Sequence, residues 1–213
     1  MLRIALLILC CTISSASSLQ SVRLTLVPDT FAPPTLESLN SAKEILQKRL
    51  DIALPEKSRL SISDNNLKLE LASREYVDVA TRLATEIGAV VFFLSDTAKD
   101  VGSAIPDNID PVVTDKDIIQ AKPSLAQGNY WSIRITFSEE GAKRLQHYTR
   151  GNIGRYMVIA KDGAVVSAPI IRSEINGNEV EIAGTEDINV ARLVVAQLNS
   201  GRLLYKFRIA ESR

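Results

Sequence analysis

The sequence predicts an α+β fold made of two successive units of strands and helices. Short segments in which apolar and polar residues alternate, the period of a half-buried strand, recur along the chain. Between them lie segments in which apolar residues recur every three or four positions, as on the buried face of a helix. Asp162-Gly163 and Asn176-Gly177 separate apolar runs as tight hairpin turns do. The chain has 213 residues, of which 46% are hydrophobic, and this is enough to form a buried core between the strands and helices.

The first unit opens with a strand and a helix. Residues 22–27 alternate apolar and polar side chains, which predicts a half-buried strand. After Pro33-Pro34, a helix is predicted to about Asp51 from apolar residues at helical spacing: Leu36, Leu39, Ala42, Leu46 and Leu50.

A strand pair, a second helix and another strand follow. Alternating residues flank Asp64-Asn65-Asn66, whose side chains tolerate the left-handed backbone of a tight turn. A second helix is predicted to end at Gly88, and residues 90–94 read as a buried strand. The helix has the apolar stripe Val77, Ala80, Ala84 and Ile87. The resulting order βαββαβ is that of the ferredoxin-like sandwich, in which two helices cover one face of an antiparallel sheet.

The second unit begins near Pro111. Residues 97–110 contain glycine, proline and three aspartates without a sustained period, which predicts a linker. Residues 132–137 alternate as a strand, and Ser138 is placed to cap a helix with Glu139 and Glu140 in its first turn. The inner face of that helix is Ala142, Leu145 and Thr149.

Residues 149–184 predict a helix end and three strands, with Ser167-Ala168-Pro169 inside the middle strand. Thr185 or Asp187 is placed to cap a last helix, which 199–201 would close. Its inward residues are Ile188, Ala191, Val195 and Leu198, and Tyr205, Phe207 and Ile209 then alternate as a final strand.

Residues 149–184 resemble the head of the first periplasmic domain of SecD, an accessory subunit of the bacterial protein-export channel. The resemblance rests on Asn152, Gly154, Arg155, Asp162-Gly163, residues 165–171 (VVSAPII), Ile175, Gly177, Ile182 and Gly184. It extends to residues 44–51, 67–71, 111–114, 137–143 and 191–201. The family has a Pro-Gly turn where this chain has Ala72-Ser73-Arg74, and it has membrane-spanning helices, which we do not find here.

The resemblance implies a base at residues 19–96, a linker at 97–110 and a SecD-like head of antiparallel strands with two covering helices at 111–203. It also implies that 204–213 return to the sheet of the base, although the alternation alone would allow that strand to stay in the head. In the family, the head is thought to contact the emerging preprotein through an apolar cleft.

Residues 1–18 predict a signal peptide. Arg3 precedes an apolar run that is too short to span a bilayer, and small residues follow it. We therefore expect a periplasmic or secreted mature chain with no integral membrane segment. A lipoprotein attached through Cys10 or Cys11 is the weaker alternative, because Leu9 is large for the residue before a lipidated cysteine. If residues 1–18 are removed as a signal peptide, the mature chain contains no cysteine.

The composition argues against several kinds of chemistry. The formal net charge is zero, so no overall basic field would attract nucleic acid. His147 is the single histidine, and neither a second histidine nor a cysteine is available to share a metal. Asp107, Asp110, Asp115 and Asp117 lack the spacing of a calcium loop. We expect no catalytic residue, no metal and no cofactor.

Pro169 marks the candidate binding site. Proline cannot donate to a sheet ladder, so Ile170 and Ile171 should lie beside a break that can accept an extended peptide as an added strand. Alternatively, the proline only blunts an edge. The candidate site comprises Ser167, Ala168, Pro169, Ile170 and Ile171, framed by Tyr148, Arg155 and Tyr156, which could equally cover the core of the head.

The sequence therefore predicts a non-enzymatic protein that binds a polypeptide client or an envelope-protein partner. A structural module that docks on a membrane complex without clients is the alternative. An enzyme of unknown type is the third class, and no constellation of residues supports it.

Overall fold

The computed structural model describes residues 21–126 and 130–212. The predicted signal peptide, with Cys10 and Cys11, lies outside the described residues. The predicted α+β class is confirmed, with antiparallel sheets and four α-helices in the described part. The elements follow in the order β1 (Val22–Pro28), α1 (Leu36–Ala53), β2 (Arg59–Ser63), β3 (Asn66–Leu71), α2 (Val77–Thr85), β4 (Val90–Ser95), β5 (Pro111–Thr114), β6 (Ile118–Leu125), β7 (Trp131–Phe137), α3 (Glu139–Arg150), β8 (Tyr156–Lys161), β9 (Ala164–Ser167), β10 (Glu179–Thr185), α4 (Ile188–Ser200) and β11 (Phe207–Ser212).

The base is a four-stranded antiparallel sheet in the order β11-β1-β3-β2, packed against α1 and α2. Its core consists mainly of leucines from alternate strand positions and from the helices. The sheet has the βαββαβ connectivity of a ferredoxin-like fold, but its last strand is β11. Assigning 90–94 to the base was wrong, because β4 pairs with β5 and β8. Phe92 and Phe93 point to opposite faces of β4, and each is buried in a different hydrophobic cluster. This is expected for a central strand that is covered on both faces.

The second helix ends earlier than predicted. α2 stops at Thr85, so Ile87 lies outside it and Gly88 follows three residues later with a φ of 83°. The buried guanidinium of Arg49 donates hydrogen bonds to the carbonyl oxygens of Glu86, at 2.8 Å, and Ile87, at 2.6 Å. These bonds satisfy the carbonyl groups that a longer helix would have used.

The head contains two sheets, β5-β4-β8-β9 and β10-β7-β6. They share a core in which the rings of Phe92 and Phe137 meet edge to face at 5.5 Å. α3 contributes Leu145 to this core and α4 contributes Val195. The opposite side of α4 reaches the core of the base, which joins the two parts of the chain through one helix.

Parts of the linker belong to a sheet. Residues 102–105 pair along the outer side of β9, where the Gly102 N–H lies 2.8 Å from the Val165 carbonyl and the Val165 N–H 2.9 Å from the Ser103 carbonyl. The outer side of β9 is therefore partly occupied.

The strand β6 has no alternation and contains Pro123, which faces Ile133. It lies at a sheet edge, where a proline without an N–H can be accommodated. The side chain of Asn199 closes part of this edge through hydrogen bonds of 2.7 and 2.9 Å to the backbone of Ala121.

Within residues 21–126 and 130–212, no helix combines the length and the apolar character needed to cross a membrane.

Candidate functional site

The strand that was expected to contain Pro169 ends before it. β9 stops at Ser167, and pairing with β8 continues through a bulge. The Met157 N–H donates to the Pro169 carbonyl at 2.9 Å, and the Ile171 N–H donates to the Arg155 carbonyl at 2.8 Å. Pro169 therefore stands opposite Met157, and the N–H that proline lacks would have pointed inward, towards β8. Placing Pro169 inside the middle strand was wrong, and its ring does not blunt the outer edge.

The candidate residues divide between the two faces of this sheet. Ile171 belongs to the core between the sheets, together with Met157 and Ile159. Tyr156 and Ala168 pack on the other face, in a separate cluster around Phe93 and Val158. Since side chains alternate along a strand, one face cannot present all the predicted residues to a ligand.

Tyr148 and Arg155 lie elsewhere. They line a cavity of about 430 Å³ next to the linker, which shares no lining residue with the cavities beside Pro169. Arg155 forms an ion pair of 2.7 Å with Asp96 and donates to the side chain of Asn152 at 2.6 Å. Arg155 is therefore held by residues that follow α3 and β4, and Tyr148 belongs to α3 itself.

An apolar cleft opens between β8 and the segment after β9 on one side and β10 and α4 on the other. Two adjoining cavities, of about 230 and 190 Å³, share Ile159 and Ile182. The first is lined by Pro169, Ile170 and Ile171, with Met157, Leu145 and Val180 among the other residues. The second is lined by Val166, Val90, Ile133, Val190 and Val194, among others. We call the two cavities together the head cleft.

The mouth of the head cleft is apolar and accessible. The exposed fraction is 45% for Val166 and 48% for Ile170, whereas Ile171 deeper in the cleft is 5% exposed. Its only charged lining residues within the described part of the chain are Lys161, Arg172 and Glu181. A concave apolar surface with few polar groups is typical of a binding site.

Sequence reasoning found one wall of this cleft and missed the other. Pro169, Ile170 and Ile171 were predicted, whereas Val180 and Ile182 of β10 and the valines of α4 were not. The available signal was the alternation of glutamates with Val180 and Ile182, which identifies a strand with one apolar face. Nothing in that pattern indicates which surface the apolar face meets.

A larger depression, of about 840 Å³, lies on the open face of the base sheet. Its lining is mostly charged or hydroxylic, and Arg23 forms an ion pair of 2.9 Å with Glu70. These side chains are exposed and pair with one another, as on an ordinary solvated sheet face.

The carboxylates near these surfaces have structural partners. An oxygen of Asp162 accepts hydrogen bonds from the Gly88 and Ala89 N–H groups, at 2.8 and 2.9 Å. Burial alone would raise the pKa of Asp117, but hydrogen bonds from Thr114 and Arg144 outweigh it and lower the pKa. In the part of the chain that the structure describes, no three acidic, cysteine or histidine residues gather where they could hold a metal.

Comparison with known proteins places these features in a family. The family model described as "SecDF, P1 head subdomain" matches residues 93–205, just over half of the chain. The protein translocase subunit SecDF of Thermus thermophilus is 27% identical over 211 residues, covering 84% of this chain and 28% of the relative. The SecD subunit of Acidaminococcus fermentans is 34% identical over 102 residues, covering 48% of this chain and 24% of the relative. The chain thus spans about a quarter of the length of these two relatives.

Solved structures are similar over most of the chain. A crystal structure of SecDF in a super-membrane-facing form has a TM-score of 0.77 at 25% identity, covering 91% of this chain and 30% of the other. A second structure, of a membrane component SecDF that enhances protein export, has a TM-score of 0.71 at 25% identity and covers 90% of this chain and 99% of that one.

Proposed function

The chain belongs to the family of the SecDF P1 head subdomain, and on that basis we propose that its head cleft binds an extended, apolar segment of polypeptide. The cleft carries this proposal, because it joins two apolar cavities whose mouth is formed by half-exposed Val166 and Ile170. The protein acts without catalysis, outside the membrane, as a component linked to protein export.

The size and chemistry of the cleft favour short apolar side chains in an extended backbone. An extended chain advances about 3.3 Å per residue and points alternate side chains to one face, so a few residues can reach both cavities. Burying one aliphatic side chain is worth roughly 1.5–3 kcal/mol, and ordering the peptide offsets part of this gain. We therefore expect weak, reversible binding that tolerates different sequences, as a protein handling many clients requires.

The link to export rests on the relatives. One similar structure is described as that of a membrane component that enhances protein export. Both relatives named above are subunits of a protein translocase. By analogy, the partners we propose are an exported polypeptide as client and a translocase as the complex beside which the chain works.

The base offers a surface for a second role, docking on a membrane complex without holding clients. Phe31, Leu36 and Leu204 are apolar and 113%, 67% and 69% exposed, respectively. Contact between the hydroxyl groups of Ser38 and Tyr205, at 3.4 Å, brings the start of α1 next to the segment before β11. If docking is the function, changing Phe31 and Leu36 to serine abolishes recovery of one membrane partner, and the wild-type protein has no affinity for apolar peptides.

Placing a charge at the mouth of the head cleft should weaken client binding strongly. We expect Ile170→Asp and Val166→Asp each to weaken binding of a labelled peptide with alternating valine residues by about tenfold or more, because a carboxylate there must lose water against apolar groups. Fluorescence anisotropy measures the affinity. Both positions are half exposed, so the fold should survive, whereas Ile171→Asp would bury the charge and unfold the head.

Ile119→Asp is the matched control. Ile119 is 67% exposed on β6 and lines neither cavity of the cleft. It should bind the peptide like the wild type. Unchanged affinity in both cleft variants, with wild-type circular dichroism, would rule out the cleft as the binding site.

A further inference from the structure

The strand β10 lies at the edge of its sheet, and its free side faces the head cleft. β10 pairs with β7 alone in the sheet order β10-β7-β6. Val180 and Ile182 line the cavity beside Pro169, and so does Glu181 between them. Since Glu181 belongs to the opposite face of the strand from its two neighbours, the cavity extends to the edge of β10 itself.

The register of β10 against β7 identifies which backbone groups point to the free side. The Phe137 N–H donates to the Asn178 carbonyl at 2.8 Å, so this opposed pair is a hydrogen-bonded one. The two kinds of pair alternate along an antiparallel ladder. Val180 and Ile182 therefore bond to β7, whereas the N–H and C=O groups of Glu179 and Glu181 point away from it.

The opposite wall offers a shorter ladder, in which Ile170, paired with Tyr156, directs its N–H and C=O away from β8. Ile171 uses its N–H on β8, and Pro169 has none. Residues 102–105 already pair along the outer side of β9. Of the two walls, β10 presents the longer run of free backbone groups within the described part of the chain.

We infer that the client binds by adding a strand along β10, pairing its backbone with Glu179 and Glu181. This inference rests on the proposed function and specifies its binding mode. Every second side chain of the client then enters the cleft over Val180 and Ile182. Backbone pairing would supply affinity that is independent of sequence, and the cleft would select apolar residues at alternate positions.

Charge at the edge narrows the class of client further. Glu179 and Glu181 lie on the face opposite the cleft and are both exposed. Glu181 accepts a hydrogen bond from Ser132 and lies 4.0 Å from Arg134, yet its side chain remains 44% exposed. Because like charges directly opposite each other destabilise a strand pair, the intervening client residues should be cationic or neutral. The segment thus alternates apolar residues with lysine, arginine or uncharged polar residues.

The test measures the affinity of the wild-type protein for four synthetic peptides. A peptide alternating valine and lysine is compared with a version N-methylated at every lysine, a version N-methylated at every valine, and one in which glutamate replaces lysine. N-methylation removes a backbone donor and leaves the side chains in place.

Strand pairing predicts that one methylated peptide binds about tenfold or more weaker and the other binds like its parent. Antiparallel pairing along β10 makes the lysine-methylated peptide the weak one. The glutamate peptide should bind weaker than the lysine peptide.

A backbone variant tests the same edge from the protein side. Glu181→Pro removes an N–H that points to the free side and leaves the bonds to β7 in place. Glu181→Gln is its control, because it removes the charge and keeps the N–H. We expect Glu181→Pro to weaken binding of the parent peptide by about tenfold or more and Glu181→Gln to weaken it much less. Glu181→Gln should also reduce the ratio between the affinities for the lysine peptide and the glutamate peptide.

The outcomes separate this inference from the proposed function. If both methylated peptides bind like the parent while Ile170→Asp still blocks binding, the cleft binds clients but strand addition is wrong. If the wild type binds none of the peptides, the proposed function itself fails. If circular dichroism shows that Glu181→Pro does not fold, the methylated peptides on the wild type decide.

Discussion

Replacing Arg49 with leucine should lower the free energy of unfolding by about 3–5 kcal/mol, the largest effect that we expect from a single side chain. Arg49 is completely buried, and its guanidinium donates to four backbone carbonyl oxygens at 2.6–2.9 Å. These carbonyls belong to Leu83, Glu86, Ile87 and Gly201. Leucine would remove all four bonds, and of these acceptors the Ile87 carbonyl would still accept from the Leu203 N–H, at 2.9 Å. Each group that is left dry and unpaired costs roughly 1–3 kcal/mol.

The position of these carbonyls explains why the effect should be global. The carbonyls of Glu86, Ile87 and Gly201 lie in the two segments that connect the base with the head, after α2 and after α4, and that of Leu83 lies in the last turn of α2. Arg49 itself belongs to α1 of the base, so one side chain holds both connections. Burial lowers its pKa to about 10, which still leaves it charged at neutral pH.

Urea denaturation followed by circular dichroism measures this loss. Lys48→Leu is the control, since Lys48 is the neighbouring cation on the exposed side of the same helix. It should change the free energy of unfolding by no more than about 0.5 kcal/mol. A loss below about 1 kcal/mol for Arg49→Leu would contradict the role that we give to its hydrogen bonds.

Replacing Gly88 with alanine should lower the free energy of unfolding by about 2–4 kcal/mol, the second-largest effect that we expect. Its φ of 83° is in the left-handed region, which disfavours any side chain. A methyl group at this position would also stand 2.5 Å from a terminal nitrogen of Arg49. The guanidinium would have to move and would lose part of its hydrogen bonding to the carbonyls.

Gly102→Ala separates these two causes. Gly102 has a φ of 86°, and no atom lies within 4 Å of an added methyl group. The decrease in the free energy of unfolding of Gly102→Ala, measured by the same urea titration, should therefore come from the backbone alone and amount to about 1–2 kcal/mol. Equal losses at the two glycines would show that the contact with Arg49 is not important. In an Arg49→Leu background, the extra cost of Gly88→Ala should shrink, because the two residues touch.

Local patterns predicted many elements well because their causes are local. The alternation of β1 and the positive φ angles of Asp64 and Asn65 in the turn between β2 and β3 agree with the predictions. The predicted stripe of α1 is buried from Leu39 onward, whereas Leu36 at the start of the helix is exposed. The side chain of Ser138 caps α3 by accepting from the Gly141 N–H at 3.1 Å. Asp187, one of two predicted caps, accepts from the Asn189 N–H at 2.8 Å at the start of α4. Each feature depends on residues within one turn or one strand.

The candidate site could be predicted only in part. Pro169 identified an irregular strand end beside two isoleucines, and these residues do line the cleft. The direction of its missing N–H depends on the pairing with Met157, and the second wall comes from β10 and α4. Tyr148 and Arg155 are close to Tyr156 in sequence, yet the turn before β8 directs them to another cavity.

The sequence by itself determined the class of fold, the family resemblance and most of the helices and strands, since periodicity and turn residues report on local backbone preferences. Only the tertiary structure decided that β4 joins the head and that Arg49 holds both connections. The resemblance implied the return of the last strand to the base, which the alternation alone left open, and the pairing of β11 with β1 shows it. The tertiary structure also decided that the cleft lies between an interrupted strand and the free edge of β10. These features depend on contacts between distant residues, and such pairings leave no period in the sequence of either partner.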